Sequence, residues 1–326
     1  MKIIVTGGAG FIGSHLVDAL LVANHEITVL DNLSTGREEN LRHVLSQINL
    51  VDCDIGQSGS WTKEFLKVDW VFHLAALADI VPSIQDPDAY FKSNVDGTYN
   101  VLRASQIAEA KRFIYAASSS AYGMPEVFPT PEEAQIAPLY PYALTKSIGE
   151  SLVLHWFHVY GLNAISLRFF NVYGTRSRTS GTYGAVFGVF LAQKLAGKPF
   201  TIVGDGEQTR DFTHVSDVVS ALISVVKSTK SGCIYNVGSQ QTVSINRLVE
   251  LLGGDSVYIP KRPGEPDCTF ADISRIQNEI GWQPKVSIEE GIVELLENIE
   301  YWADAPVWSP DSIAEATDDW FRYLGS

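Results

Sequence analysis

The chain has 326 residues, 45% of them hydrophobic and 19% charged, with a formal net charge of −14. That balance describes a globular chain able to bury a sizeable core in one large or two ordinary domains. The acidic excess argues against non-specific nucleic-acid binding, which needs basic patches to displace counterions, and no apolar run reaches the roughly 18 residues that span a bilayer.

Met1-Lys-Ile-Ile-Val is expected to enter a first strand directly, with no signal peptide. That strand, Lys2–Thr6, ends in Gly7, Gly10 and Gly13, then a helical stretch (Ser14–Ala23) leads to a second apolar run, Glu26–Asp31, whose acid stands 18 residues after Gly13. Gly7 permits a tight turn, Gly10 lets backbone N–H groups approach a pyrophosphate, and Gly13 lets the helix pack closely on the strand. The helix N-terminus favours phosphate charge, and Asp31 is placed to accept hydrogen bonds from a ribose 2′-hydroxyl, which selects NAD over NADP. Phe11, Ile12 and Asn32 are grouped with this cofactor site.

Further strands are predicted over Ile48–Asp52, Trp70–Leu74, Arg112–Ala116 and Asn163–Arg168. Their alternation with helical stretches predicts a parallel sheet covered on both faces. Helices are predicted over Asn94–Ala110, with Val95, Tyr99, Leu102 and Ile107 apolar, and over Tyr142–Tyr160, with Leu144, Ile148, Leu152, Val153, Trp156 and Val159 apolar. Exposed apolar faces on these two helices would join two copies in a homodimer through a helix bundle; alternatively both faces pack on the sheet. After about residue 171 the pattern changes to a Gly- and Thr-rich stretch (Gly174–Gly184), a helix (Gly184–Ala196), a Gly204-Asp-Gly206 turn and scattered elements. The expected fold is therefore α/β: a Rossmann-type doubly wound parallel sheet over residues 1–171, to which later segments return, with a smaller C-terminal α/β substrate lobe over 172–326. The tail carries Trp302, Trp308, Trp320, Phe321 and Tyr323 and is expected to dock on the body. Cys53, Cys233 and Cys268 stand apart without a CxxC pair, so a reducing, cytoplasmic setting is expected, with no disulfide framework and no zinc site.

Three segments carry candidate chemistry. In Tyr142-Ala-Leu-Thr-Lys146 the phenol and the amine share one helix face. An ammonium beside a phenol lowers its pKa, and a phenolate poised near neutrality is a competent general base for an alcohol hydroxyl. Ser118, Ser119 and Ser120 follow a strand, where ligands bind in open α/β sheets. The small residues of His73-Leu74-Ala75-Ala76 would let a cofactor lie against strand ends, with His73 itself read as a buried, satisfied histidine.

Together these motifs resemble the extended short-chain dehydrogenase/reductase family over about residues 1–300. The resemblance implies that Asp54 and Ile55 contact adenine, that Asn94 supports the cofactor and active site, and that Tyr142, Lys146 and Ser118 are catalytic. Within the family the chain is similar to the nucleotide-sugar branch, and there to UDP-hexose 4-epimerases. Arg168-Phe-Phe-Asn171, the Gly204–His214 loop with Arg210, and Lys261-Arg-Pro-Gly-Glu265 resemble that branch's segments. They imply that Asn171, Arg210 and Arg262 hold a sugar diphosphate, that Glu265 meets a ribose, and that Phe200 and Ile202 pack a uracil. Two guanidiniums are suited to a doubly charged diphosphate. Ser119, Ser120 and Thr269 are placed with the sugar site, and Asp79, a departure from the family pattern, is expected there to help select the sugar. Two departures are notable: Ala78, followed by Asp79, stands where a phosphate-binding lysine would be, and Thr269 replaces a bulky tyrosine beside sugar carbon 2, which would admit N-acetyl groups. The implied reaction is NAD-dependent epimerisation at carbon 4 through a 4-keto sugar. The alternatives are a 4,6-dehydratase, which needs an acid and base where Ser119 and Ser120 stand, and a UDP-glucuronate 4-epimerase using Arg176 or Arg178. A non-catalytic NAD-binding regulator is the reading from another class.

Overall fold

The computed structural model describes residues 1–177 and 185–325. All six predicted strands form, with ends within two residues of expectation: β1 (Lys2–Thr6), β2 (Glu26–Asp31), β3 (Asn49–Asp52), β4 (Trp70–His73), β5 (Arg112–Ser118) and β6 (Ala164–Phe169). A seventh, β7 (Cys233–Val237), returns from far along the chain to pair with β6, Tyr235 opposite Leu167. The sheet is parallel throughout, in the order β7-β6-β5-β4-β1-β2-β3. The order reverses between β1 and β4, and ligands of such sheets bind beyond the strands' carboxyl ends at that reversal.

The helices that matter for the site are α1 (Phe11–Val22), α2 (Ile80–Gln85), α3 (Gly97–Ile107), α4 (Pro141–Tyr160), α5 (Val215–Lys227) and α6 (Asp318–Leu324). Successive strand residues point to opposite faces, and the core divides accordingly. Ile3, Val5 and Ile114 pack with Val17 of α1 and Leu222 of α5. Ile4, Phe113 and Tyr115 pack with Leu102 of α3 and Val153 of α4. Pro141 opens α4, where its missing N–H costs nothing. Gly161, at φ +70°, ends it by donating its N–H to Phe157 O.

The helix expected over Asn94–Ala110 is composite: a π turn at Phe91–Asp96 leads into α3, which stops at Ile107. Its apolar positions split between two environments. Leu102 faces the core, while Tyr99 and Ile107 are 44% and 71% exposed. On α4, Val153 and Trp156 are buried and Val159 is exposed. The helix placed at Gly184–Ala196 runs over Val186–Leu195, its expected first residue lying outside the described residues.

A second core gathers Phe187, Phe190, Phe200, Leu248, Leu295 and Trp302 beside a parallel strand pair, Phe200–Val203 with Ser256–Ile259. Burying each such side chain contributes roughly 1.5–3 kcal/mol, enough to make this cluster an apolar centre of its own. Trp320 of α6 is 4% exposed and its indole N–H donates to Pro263 O at 2.7 Å. Among the described residues no helix is long and apolar enough to cross a membrane.

Candidate active site

A cavity of about 670 Å³ runs along the carboxyl ends of the strands, from the glycine turn to Arg210 and Arg262. At its first end Gly7 sits at φ +69° and donates its N–H to Leu30 O at 2.8 Å. A Cβ on Gly7 would lie 2.7 Å from the Ala75 backbone, and one on Gly13 2.2 Å from Gly7 O. Strand β1, the loop after β4 and the start of α1 therefore meet at a spacing only glycine allows. Phe11, Ile12, Asn32, Leu74, Ala75 and Ala76 line this end, with Asp54 and Ile55 farther along. Asp54 is committed locally: it accepts the Gly56 N–H at 2.9 Å and pairs with Lys92 at 3.0 Å.

Asp31, at the end of β2, is 7% exposed. Its Oδ2 accepts the Ala9 N–H and its Oδ1 the Leu33 N–H, both at 2.9 Å. Burial raises its pKa, and these two backbone bonds oppose the rise. A Cβ-free cradle, helix-first-turn amides without intrahelical partners and a buried carboxylate suit a dinucleotide's pyrophosphate and ribose.

In the middle of the cavity Ser118, Ser119, Ser120, Tyr140 and Tyr142 come together. The Ser118 hydroxyl donates to Ser120 Oγ at 3.0 Å and accepts the Ser120 N–H at 3.2 Å. Ser118 lies near enough to the Tyr142 phenol, and Ser120 to the Tyr140 phenol, for each serine to lower that phenol's pKa. The Tyr140 ring lies parallel to that of Tyr142 with centroids 6.4 Å apart, and Tyr90 presents its edge to Tyr142 from another side. Burial pushes the Tyr142 phenol above its ordinary value, the neighbouring Ser118 pulls it down, and the Asp79 carboxylate pushes it up again.

Lys146 is expected from the sequence to draw the phenol towards neutrality, but it is not among the groups that shift Tyr142 here. Lys146 is 4% exposed, is not on the cavity wall, and its Nζ sits 4.6 Å from the centroid of the Tyr115 ring. Burial brings its own pKa down to about 7, with Glu150 holding it up. Asn94 is also behind the wall, 1% exposed. It accepts the Leu77 N–H and donates to Leu77 O and Thr145 Oγ1, tying the loop after β4 to α4. His73 is buried between two threonine hydroxyls, Thr6 at 2.7 Å and Thr98 at 2.9 Å, and burial drives its pKa down to about 3. It is a neutral structural group.

Sequence reasoning did not identify the network supporting this centre. Glu150, one helical turn after Lys146, receives Arg168 Nε at 3.1 Å and the Ser166 hydroxyl at 2.8 Å. Arg168 also donates to Tyr122 Oη at 2.7 Å, and Tyr122 donates to Asn236 Oδ1 at 2.7 Å. The side chains of Arg168 and Glu150 are 3% and 8% exposed. A charged residue in the buried strand β6 was the available signal, since such a charge needs a partner.

At the far end Arg210 Nη2 donates to Glu265 Oε1 at 2.9 Å, and Arg262 Nη1 lies 3.8 Å from the other oxygen. Glu265, expected on a ribose, thus centres two guanidiniums and fixes their orientation. Thr269 donates to Asn171 Oδ1 at 2.7 Å, and Asp79 heads α2; all three face the cavity. Phe200 and Ile202 do not. They are each 1% exposed and belong to the second core, while Thr201 and Val203, on the other face of the same strand, line the cavity. The base-packing expectation thus falls on two residues that do not line the cavity. Arg176 is held by Asp18 of α1 at 2.8 Å, and Arg178 lies outside the described residues.

The model of the NAD-dependent epimerase/dehydratase family matches residues 3–238. The chain is 34% identical over 311 residues to the UDP-glucose 4-epimerase of Mycolicibacterium smegmatis, covering 91% of this chain and 98% of that protein. Among solved structures it is similar to a UDP-glucose 4-epimerase with UDP-glucose from Thermotoga maritima, with a TM-score of 0.87 and 34% identity over 93% of this chain and 99% of that one. It is similar also to the UDP-glucuronic acid 4-epimerase from Bacillus cereus in complex with UDP-glucuronic acid and NAD, with a TM-score of 0.85 and 31% identity over 92% and 99% of the two chains.

Proposed function

Because the chain belongs to the NAD-dependent epimerase/dehydratase family, we propose that it inverts carbon 4 of a UDP-hexose through a transient 4-keto sugar. NAD, when bound, supplies a two-electron oxidant that is regenerated within the same turnover. Tyr142 takes the proton of the 4-hydroxyl and returns it after the sugar has turned over, with Ser118 hydrogen-bonding the same oxygen. Arg210 and Arg262 hold the diphosphate by charge-assisted hydrogen bonds. Binding energy is thereby concentrated away from the ring that must rotate.

One observation carries this reading: Tyr142 and Ser118 share a single cavity with the glycine turn at one end and the Arg210–Arg262 pair at the other. Ser119 and Ser120 supply no carboxyl group for eliminating water across carbons 5 and 6, which favours epimerisation over the dehydratase reaction. The engagement of Arg176 by Asp18 weighs against its use for a uronate carboxylate. Thr269 supports acceptance of N-acetyl sugars, so the UDP-GlcNAc/UDP-GalNAc pair joins UDP-glucose/UDP-galactose in the substrate class. The exposed Tyr99, Ile107 and Val159 on α3 and α4 support a two-fold homodimer, and the isolated cysteines support a cytoplasmic setting.

The test is NMR of the anomeric protons of these UDP-sugars incubated with purified protein. Conversion within a 4-epimer pair is expected, and Tyr142→Phe should slow it by about 10²–10⁴-fold while UDP still binds. A 6-deoxy-4-keto product, or no conversion of any of the sugars, would overturn the reading.

A further inference from the structure

The aromatic C-terminal tail has no part in the reaction as described, yet Trp320 lines the cavity while being only 4% exposed. Its indole N–H donates to Pro263 O, the carbonyl next to Arg262, at 2.7 Å. The face of the same indole carries the Arg262 guanidinium, whose central carbon is 5.3 Å from the ring centroid. Arg262 in turn approaches Glu265, which binds Arg210. At the start of α6, Asp319 Oδ2 accepts a hydrogen bond from Gln85 at 3.0 Å. Gln85 is the last residue of α2, the helix headed by Asp79 on the cavity wall. Helix α6 therefore joins the loop bearing Arg262 to the helix bearing Asp79.

We propose that Trp320 is a positioning residue for the substrate's diphosphate, acting through Arg262, and that α6 is a strap completing the anion end of the cavity. The proposal rests on the function argued above and assigns the tail to its substrate site. Two guanidiniums gathered on one carboxylate offer charge-assisted donors to a diphosphate. An arginine is a long side chain with much rotamer freedom, and freezing that freedom on binding weakens affinity. Stacked on a desolvated indole face, the guanidinium is oriented in advance, and the cation–π attraction keeps it there. Indole is the better platform among aromatic rings, and its N–H fixes the ring to the loop it serves.

UDP is the probe, titrated calorimetrically into NAD-loaded protein, because its binding reads the diphosphate site whichever sugar is turned over. Trp320→Ala is expected to raise the UDP dissociation constant and the KM for UDP-sugar about ten-fold, with the loss on KM rather than kcat. Trp320→Phe, which keeps a ring face, should stay within about three-fold of the parent. Arg262→Ala should weaken UDP binding as well, and the double variant should be no worse than Arg262→Ala alone, because Trp320 acts through Arg262. Unchanged UDP affinity in Trp320→Ala, or strictly additive losses, would overturn the proposal. Should the alanine variant not fold, Trp320→Leu against Trp320→Phe decides the matter: equal affinities overturn the proposal, and a weaker leucine variant supports it. A protein that binds UDP with these variant effects but epimerises no UDP-sugar would refute the proposed reaction and leave the role of Trp320 standing.

Discussion

Glu150→Gln separates the scaffold of the active centre from its chemistry. The carboxylate neutralises Arg168 inside the protein, the two side chains being 8% and 3% exposed. Glutamine keeps the shape but turns an amide N–H₂ towards a guanidinium that has only donors to offer. Arg168 would retain its bonds to Tyr122 Oη and Glu132 O, so the pair is broken without stranding every donor. Removing one partner of a buried ion pair costs about 3–5 kcal/mol. A chain of this length has an unfolding entropy near ~0.7 kcal/mol per degree, so Tm should drop by about 4–7 °C. The loss should also depend on pH through Lys146. Its native pKa of about 7 lies below its ordinary value of 10.5 because of burial, with Glu150 partly opposing. The native protein loses that proton as pH rises through about 7, whereas the unfolded chain keeps it to about 10.5. Burying Lys146 therefore costs stability in full below pH 7, and the cost fades as pH rises towards 10.5. Glutamine at 150 removes the opposing charge, moves the native pKa lower still and deepens the cost at low pH. The difference in Tm between parent and variant should narrow between about pH 6 and about pH 8.5. Differential scanning calorimetry of the two proteins at saturating NAD measures both effects. A Tm change under about 1 °C would refute the buried-pair argument, and a pH-independent difference would refute the link to Lys146.

Gly13→Ala places a methyl 2.2 Å from the backbone oxygen of Gly7; the turn must open, and fluorescence titration should show NAD affinity falling at least ~10-fold. Thr269→Tyr narrows the cavity and removes the hydrogen bond to Asn171; in a coupled assay it should abolish conversion of UDP-GlcNAc while sparing UDP-glucose, and equal losses on both would count against the assigned contact. Asp79→Asn removes a charge that raises the Tyr142 pKa; the acid limb of the kcat/KM profile should move to lower pH, and an unmoved limb would refute that coupling.

How legible the molecule is from its sequence depends on how local the signal is. The extent of β1, the turn at Gly7 and the place of Asp31 at the end of β2 are legible because turn sterics and a single buried strand are settled within a few residues. The identity of the wall behind Tyr142 is not local. Helical spacing places Lys146 on the phenol's side of α4, but only the approach of Tyr115 from β5 decides that the amine ends up behind the cavity. Phe200 and Ile202 illustrate a second limit. An alternating strand has two faces, and Phe200 packs against Phe190 in a core that exists only once distant helices assemble. The composite start of α3 is a third case: the π turn at Phe91–Asp96 leaves no period that a regular helical count would recognise. Trp320 could be seen as an aromatic tail residue, but its partner Arg262 lies far back along the chain.

The outermost strand on one side of the sheet, β7, is donated by residues that follow most of the cavity-building loop at 200–214. A fragment ending near residue 171 would leave β6, buried along its whole length, with a raw flank of unpaired amides and carbonyls. Such a piece would be prone to clump rather than fold. Recombining this scaffold with foreign specificity segments would therefore work only as insertions on either side of Cys233–Val237, with that strand kept as part of the host.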